Sequence, residues 1–339
     1  MRWLVLVLIG LALLLSAGAL YWAFGTAPPV EQALTRELER RGRVAVVSPT
    51  HAFGGVAAEG TEFVAADPLA EALEGTDGPA LAEAMQAADI DAILIESGEP
   101  AEEGAPIRAR LAAFDHVEGM RGLYLSPTGA VYAPSARAEL GDAAAATARI
   151  ARRILDGTPP PPIAMYPEPL RRIRNVEVMV LLRDFGTARL WRSARGSSIA
   201  KALETATIAA RQRWRERQQA LGGPLDDRLP GLDVEVSILE EDGTLGAVTP
   251  AFVERVFGEE HGVAYERPGA WRYMLPDATR RAGEGSAIKA YQELFADNAL
   301  PADSMSRRDL RFYRMVVTEL GISRSGGLDD LLPEPILEP

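Results

Sequence analysis

Trp3 to Phe24 reads WLVLVLIGLALLLSAGALYWAF, 22 residues without a charge. As a helix this run is long enough to cross the ~30 Å hydrocarbon core of a bilayer. It therefore constrains everything that follows. Ala27-Pro28-Pro29 ends it, because proline cannot continue a helix without losing a backbone hydrogen bond, and the rest of the chain must fold as a body hung from one end. Trp3 on one side and Tyr21 and Trp22 on the other sit where interfacial aromatics are favoured, and Arg2 marks the cytoplasmic end. The reading is a single-pass anchor over residues 1–29 in a bacterial inner membrane, with the soluble portion on the periplasmic side. The alternative is a signal peptide cleaved near Ser16-Ala17-Gly18-Ala19. The apolar run continues past those small residues through Trp22, which favours the anchor.

The 339 residues leave room for two ordinary domains beyond that anchor. The absence of cysteine removes disulfides, thiolate nucleophiles and every cysteine-based metal site. Histidines occur only at His51, His116 and His261, which disfavours a histidine-rich metal site unless carboxylates dominate it; neither a metal nor a cofactor is expected. The net charge of −12 argues against nucleic acid as a partner, since phosphate contacts need a positive surface. The acid is unevenly placed: residues 31–162 carry 11 basic and 21 acidic side chains, and residues 163–339 carry 24 and 27.

Over 30–158, strand and helix signals alternate. Arg43–Ser48 and Asp91–Ile95 read as buried strands, Pro68–Leu73, Pro79–Ala88 and Pro106–Val117 as helices, and Glu139–Leu155 as an Ala-rich amphipathic helix. Gly122–Leu125 and Ala130–Tyr132, joined by Ser126-Pro127-Thr128-Gly129, form a hairpin. This alternation implies an α/β domain on a largely parallel sheet, in which ligands bind beyond the carboxyl ends of the strands. His51 and Glu96 lie at such ends and are candidate catalytic residues; the plain alternative is two solvated loop side chains. No G-x-G-x-x-G follows either strand, which disfavours a dinucleotide cofactor.

Pro159–Pro162 opens a linker over 159–170, a semi-rigid polyproline spacer. Residues 171–322 form a second unit, α+β in pattern, followed by a loosely ordered tail over 323–339. Val176–Leu182 and Thr187–Arg192 read as antiparallel strands. Ser198 caps a helix over Ile199–Gln219, whose Ile199, Leu203, Ala206, Ala210 and Trp214 share one face. Leu232–Leu239 alternates strictly, with Val234, Val236 and Ile238 on one side. Pro250–Phe257 is a short helix, Gly262–Leu275 is extended, Ser286 caps another helix, and Phe312–Thr318 is the last strand.

Leu229-Pro230-Gly231-Leu232 running into Val234-Glu235-Val236-Ser237-Ile238-Leu239 is similar to the LPxLxVEVSVL segment of AMMECR1 domains. Met274-Leu275-Pro276 resembles their LLP segment, and Leu300-Pro301-Ala302-Asp303 their GLPxDxW turn. The three occur in order over about residues 175–320. The resemblance implies an AMMECR1-like α+β fold and assigns no reaction. The chain departs from the family where LRGCIGT belongs: Gly186–Arg192 reads GTARLWR, with the cysteine position near Arg189. Asp277 stands in place of glutamine, Ala299 of glycine and Met305 of tryptophan.

Residues 171–217 hold twelve basic side chains against four acidic ones. Arginine binds phosphate or carboxylate bidentately, which makes Arg189, Arg192 and Arg195 candidate ligand-binding residues for an anionic ligand or a protein partner. Ser197, in Gly196-Ser197-Ser198 before a helix, is a further candidate for an anion at the helix N-terminus, with simple capping as the alternative. The competing reading is a solvated surface, with Arg211, Arg213, Arg215 and Arg217 spread around their helix. Glu235 and Asp277 form the best carboxylate pair for acid–base work, Glu235 pointing away from the Val234/Val236 face. Trp271 and Tyr273 either line a pocket or pack inward. The expected function is binding rather than catalysis, by an AMMECR1-like domain on a membrane-anchored envelope protein. The alternative is an envelope hydrolase or transferase using His51 and Glu96.

Overall fold

The computed structural model describes residues 38–39, 41–47, 60–174, 176–184, 187–221, 231–268 and 270–324. The expected membrane segment and the tail from 325 lie outside them. Among the described residues no helix is long and apolar enough to cross a membrane.

The first half of the chain supplies β1 (Arg43–Val46), β2 (Glu62–Ala65), α1 (Ala70–Glu74), α2 (Gly78–Ala87), β3 (Ala92–Glu96), α3 (Ile107–Ala113), β4 (Met120–Ser126), β5 (Gly129–Pro134), α4 (Ala136–Leu140) and α5 (Ala143–Leu155). The second supplies α6 (Glu168–Arg172), β6 (Glu177–Asp184), β7 (Thr187–Arg195), α7 (Ile199–Ala220), β8 (Asp233–Leu245), α8 (Pro250–Val256), β9 (Gly262–Arg267), β10 (Ala270–Met274), α9 (Pro276–Gly283), α10 (Ala287–Ala296) and β11 (Arg311–Ser323). The helix expected over Glu139–Leu155 is thus two helices, broken at Gly141. The extended stretch from Gly262 is a hairpin of β9 and β10.

The largely parallel sheet expected over residues 30–158 is corrected. The strands form one mixed sheet, ordered β10-β9-β11-β8-β4-β5-β3-β1-β2, with β6 and β7 branching from β8. β1, β2 and β3 are parallel, but β5 runs against both β3 and β4. The halves join because β4 and β8 pair in parallel at Tyr124↔Thr244 and Leu125↔Leu245.

β8 is where the sheet branches. Along one edge it carries β11 over nearly its whole length. Along the other it carries β6 from Asp233 to Leu239, then β4 from Thr244. Between those two ladders, buried backbone N–H groups still need acceptors. The side chains of β8 supply them: Glu240 Oε1 accepts from the Ala136 N–H at 2.8 Å, and Asp242 Oδ1 from the Gly122 N–H at 2.6 Å. Two carboxylates stand in for a missing strand. The approach is close enough that a Cβ on Gly122 would lie 2.8 Å from the Asp242 carbonyl oxygen, and Gly243 turns the strand at φ +123°.

The two largest apolar clusters draw on both halves. One joins Ile93, Leu111, Phe114 and Leu125 to Phe252, Tyr265, Tyr291, Phe295 and Phe312. The other packs α5 and α6 against α7, β6 and β8 through Ile150, Ile154, Tyr166, Leu170, Leu203 and Val236. The chain therefore passes through Pro159–Pro162 between two stretches that share their interior.

Candidate functional site

The sequence candidates scatter. His51 lies outside the described residues, so no crevice with Glu96 can be drawn. Glu96 ends β3 half-buried, beside Ser97, whose N–H and hydroxyl bond the carbonyls of Thr128 and Pro127. Glu235 does not face solvent as its alternation allowed. It is buried, pairs with Arg183, and accepts from Ser237 Oγ at 3.2 Å. Asp277 is exposed in the first turn of α9 and pairs with Arg280 at 2.9 Å. Each carboxylate is held by its own arginine, and no contact joins the two.

The arginines of β7 divide between its faces, since Arg192 and Arg195 are three residues apart and side chains alternate. Arg195 stacks 5.0 Å from the Trp271 ring centroid and pairs with Glu241 at 2.9 Å. On the same face Ser193 donates to Glu177, which also accepts from the Tyr273 hydroxyl at 2.7 Å. Burial, with Glu177 adding to it, pushes the Tyr273 hydroxyl up, so the proton stays on the phenol. These bonds tie β10 to β7, the opposite ends of the second half's strands, so the sheet curls into an open barrel. Trp271 and Tyr273 serve that closure. Ser197 is exposed; Ser198 caps α7, accepting from the Lys201 N–H.

On the other side of β7 lies a cleft of about 520 Å³ between the strand and the second half of α7. The apolar first half of α7 is buried in the core, whereas residues 211–221 extend beyond that cover. Arg213 and Arg217 are one turn apart and so share a stripe, while Arg211 lies by Gly157, so the four helix arginines do not form a single stripe. Arg192 faces Arg213 and Arg217 from β7. The single acid in the lining, Glu216, is engaged by Arg213 at 3.0 Å and by Gln212 at 3.2 Å. Three guanidinium groups against one carboxylate, itself paired with Arg213, can take an anion.

A second polar cluster went unnoticed in the sequence. His116, Asp242 and His261 bring three potential ligand atoms within 4.8 Å of one another, the donor types of a divalent-metal site. Arg314, fully buried, lies 2.7 Å from Asp242 Oδ2 and already supplies the cation there. Burial alone would raise the Asp242 carboxyl; Arg314, then His261 and His116, outweigh it and hold it at about 2. His261 Nδ1 accepts from the Gly258 N–H at 2.8 Å, which leaves its proton on Nε2, 3.3 Å from Asp242. Burial and Arg314 depress its pKa, so the ring is neutral. With Nδ1 occupied by the Gly258 N–H and the proton on Nε2, His261 has no nitrogen left to take a substrate proton. The cluster is an internal staple. Its sequence signal was the run Glu240-Glu241-Asp242 directly after the apolar alternation of Val234, Val236 and Ile238.

No protein-family model matches the sequence, and no curated protein does. Among solved structures, the chain is similar to the crystal structure of the uncharacterized protein PH0010 from Pyrococcus horikoshii, at 17% identity and a TM-score of 0.39, covering 54% of this chain and 97% of that one.

Proposed function

We propose that this chain is a membrane-anchored binding protein with an AMMECR1-like second half, which takes a phosphate-bearing anion in the cleft between β7 and α7. The observation that carries this reading is the cleft itself: Arg192, Arg213 and Arg217 against one acid, Glu216, that Arg213 already pairs. The family-like segments support the second half of the proposal. They begin β8, join β10 to α9, and form the turn before β11. The hydrolase or transferase reading rested on His51 with Glu96 and gains no support among the described residues.

Titration calorimetry of the full chain in detergent with pyrophosphate tests the cleft. A guanidinium–phosphate bond contributes roughly 1.5–3 kcal/mol, so Arg213→Ala with Arg217→Ala is expected to weaken binding by about 10-fold or more. Added salt is expected to weaken it as well. Absence of binding, or equal affinity in the double variant, removes the proposal. Vesicles of phosphatidylglycerol, added in competition, separate the two sources of phosphate: displacement of pyrophosphate marks a lipid headgroup as the occupant, and no displacement marks a soluble ligand.

The anchor is tested separately, by protease treatment of intact spheroplasts with a cytoplasmic marker as control. The reading expects digestion of the part beyond residue 29. Protection would place that part in the cytoplasm and reverse the proposed orientation.

A further inference from the structure

β4 and β8 are parallel neighbours whose continuations leave in opposite directions. From Ser126 the chain turns back into β5 on one side; from Leu245 it runs through α8 to β9, beyond β11 on the other. Where parallel strands diverge in this way, a crevice opens beyond their carboxyl ends, and such crevices bind ligands. A cavity of about 200 Å³ lies at this point. Its floor is apolar and buried: Tyr124, Leu245, Leu310 and Phe312. Its rim is basic. Arg307 is held by Asp309 at 2.9 and 2.6 Å. Arg308 and Arg311 line the same cavity and are exposed, and neither has an ion-pair partner among the described residues.

We propose that this crevice binds a small organic carboxylate, its head gripped by Arg308 and Arg311 and its compact apolar body against the floor. Arginine pairs with carboxylate bidentately. The floor needs an apolar group, because a wholly hydrophilic anion would leave it facing polar atoms that cannot be satisfied there. The size excludes a large ligand, since sites for drug-sized molecules run to roughly 300–1,000 Å³. A single ring or a short branched chain fits. This site shares no residue with the β7/α7 cleft, so the two proposals stand or fall apart.

Phenylacetate is the probe, followed by ligand-observed NMR on the full chain. Binding is expected, with about a tenfold or greater loss in Arg308→Ala with Arg311→Ala, and a similar loss for the neutral phenylacetamide. Met305→Trp, which enlarges a lining side chain into the cavity, is expected to abolish binding, whereas Arg213→Ala with Arg217→Ala leaves it unchanged. No binding to the wild-type chain up to about 10 mM, a concentration that would detect even an affinity of about −4 kcal/mol, overturns the proposal. So does retention of affinity in the double arginine variant, or equal binding of the amide.

Discussion

Replacing Arg314 with methionine is expected to destabilise the protein by roughly 3–5 kcal/mol, the range for stripping one partner from a buried ion pair. Against a typical total of about 5–15 kcal/mol, that is a large fraction. The reason lies in what the guanidinium holds. It bonds the carbonyls of Asp242, Phe114 and Val256, and it is the cation beside the Asp242 carboxylate. Phe114 precedes β4 and Val256 ends α8, so one side chain fastens both halves of the chain to the branch in the sheet. Methionine fills the volume but leaves the carboxylate buried without its guanidinium. Asp242→Asn added to Arg314→Met is expected to recover part of the loss, because Asn Oδ1 still accepts from the Gly122 N–H while the charge is gone. The pH dependence separates this from simple loss of packing. In the wild-type chain the Asp242 pKa is depressed from 3.8 to about 2, so its contribution is present above the unfolded value and is lost as pH falls through 4 towards 2. In Arg314→Met, burial acts without its main opponent, the carboxyl rises, and acidification from neutral pH narrows the gap to wild type. Chemical denaturation at several pH values measures both. A deficit under about 1 kcal/mol, or one that does not change with pH, would sink the staple.

Local structure was legible because its determinants are local. The Ser126–Gly129 turn, the Ser198 and Ser286 caps and the alternation of Val234, Val236 and Ile238 each need only a few neighbouring residues to be read. β2 was missed because its Glu62–Ala65 is largely exposed and shows no apolar alternation. The joining of the halves was hidden for a different reason. It rests on a two-residue parallel ladder and on carboxylate–backbone bonds spanning 104 and 120 residues, and no periodicity encodes a partner that distant. The proline run at 159–162 looked like a spacer between bodies because composition shows where a chain is extended and not what its two sides pack against. The cleft was half visible. Arg192 stood out on β7, but the Arg213/Arg217 stripe was lost among four arginines at every second position of α7.

The second carboxylate of the branch should show itself in a comparison of Glu240→Gln with the wild-type chain across pH 5 to 8. Glu240 is 1% exposed. Its Oε1 accepts from the Ala136 N–H and lies 3.2 Å from Arg121, while its Oε2 is buried without a hydrogen-bond partner. Burial pushes its pKa up to about 7; Arg121 and the Ala136 N–H oppose that, and Asp242 and Glu139 add to it. An unfolded glutamate ionises near 4.3, so between that value and 7 the folded chain binds the extra proton. The contribution of Glu240 is therefore present below about pH 4 and disappears as pH rises to 7, a span of about 3–4 kcal/mol at 1.36 kcal/mol per unit. Glutamine keeps the acceptor for Ala136 and never ionises. The variant is expected to match the wild-type protein within about 1 kcal/mol at pH 5 and to exceed it by up to about 3 kcal/mol at pH 8, several degrees in melting temperature. His261, kept neutral by burial and Arg314, imposes the opposite slope below its unfolded pKa of 6.5. It does so in both proteins, so it cancels in the difference. Parallel melting profiles would mean that Glu240 is ionised throughout and fully compensated by Arg121. A difference that opens with pH would mean that two acids of one strand, two residues apart, are kept in opposite states: Asp242 ionised against a cation, Glu240 protonated where the sheet divides.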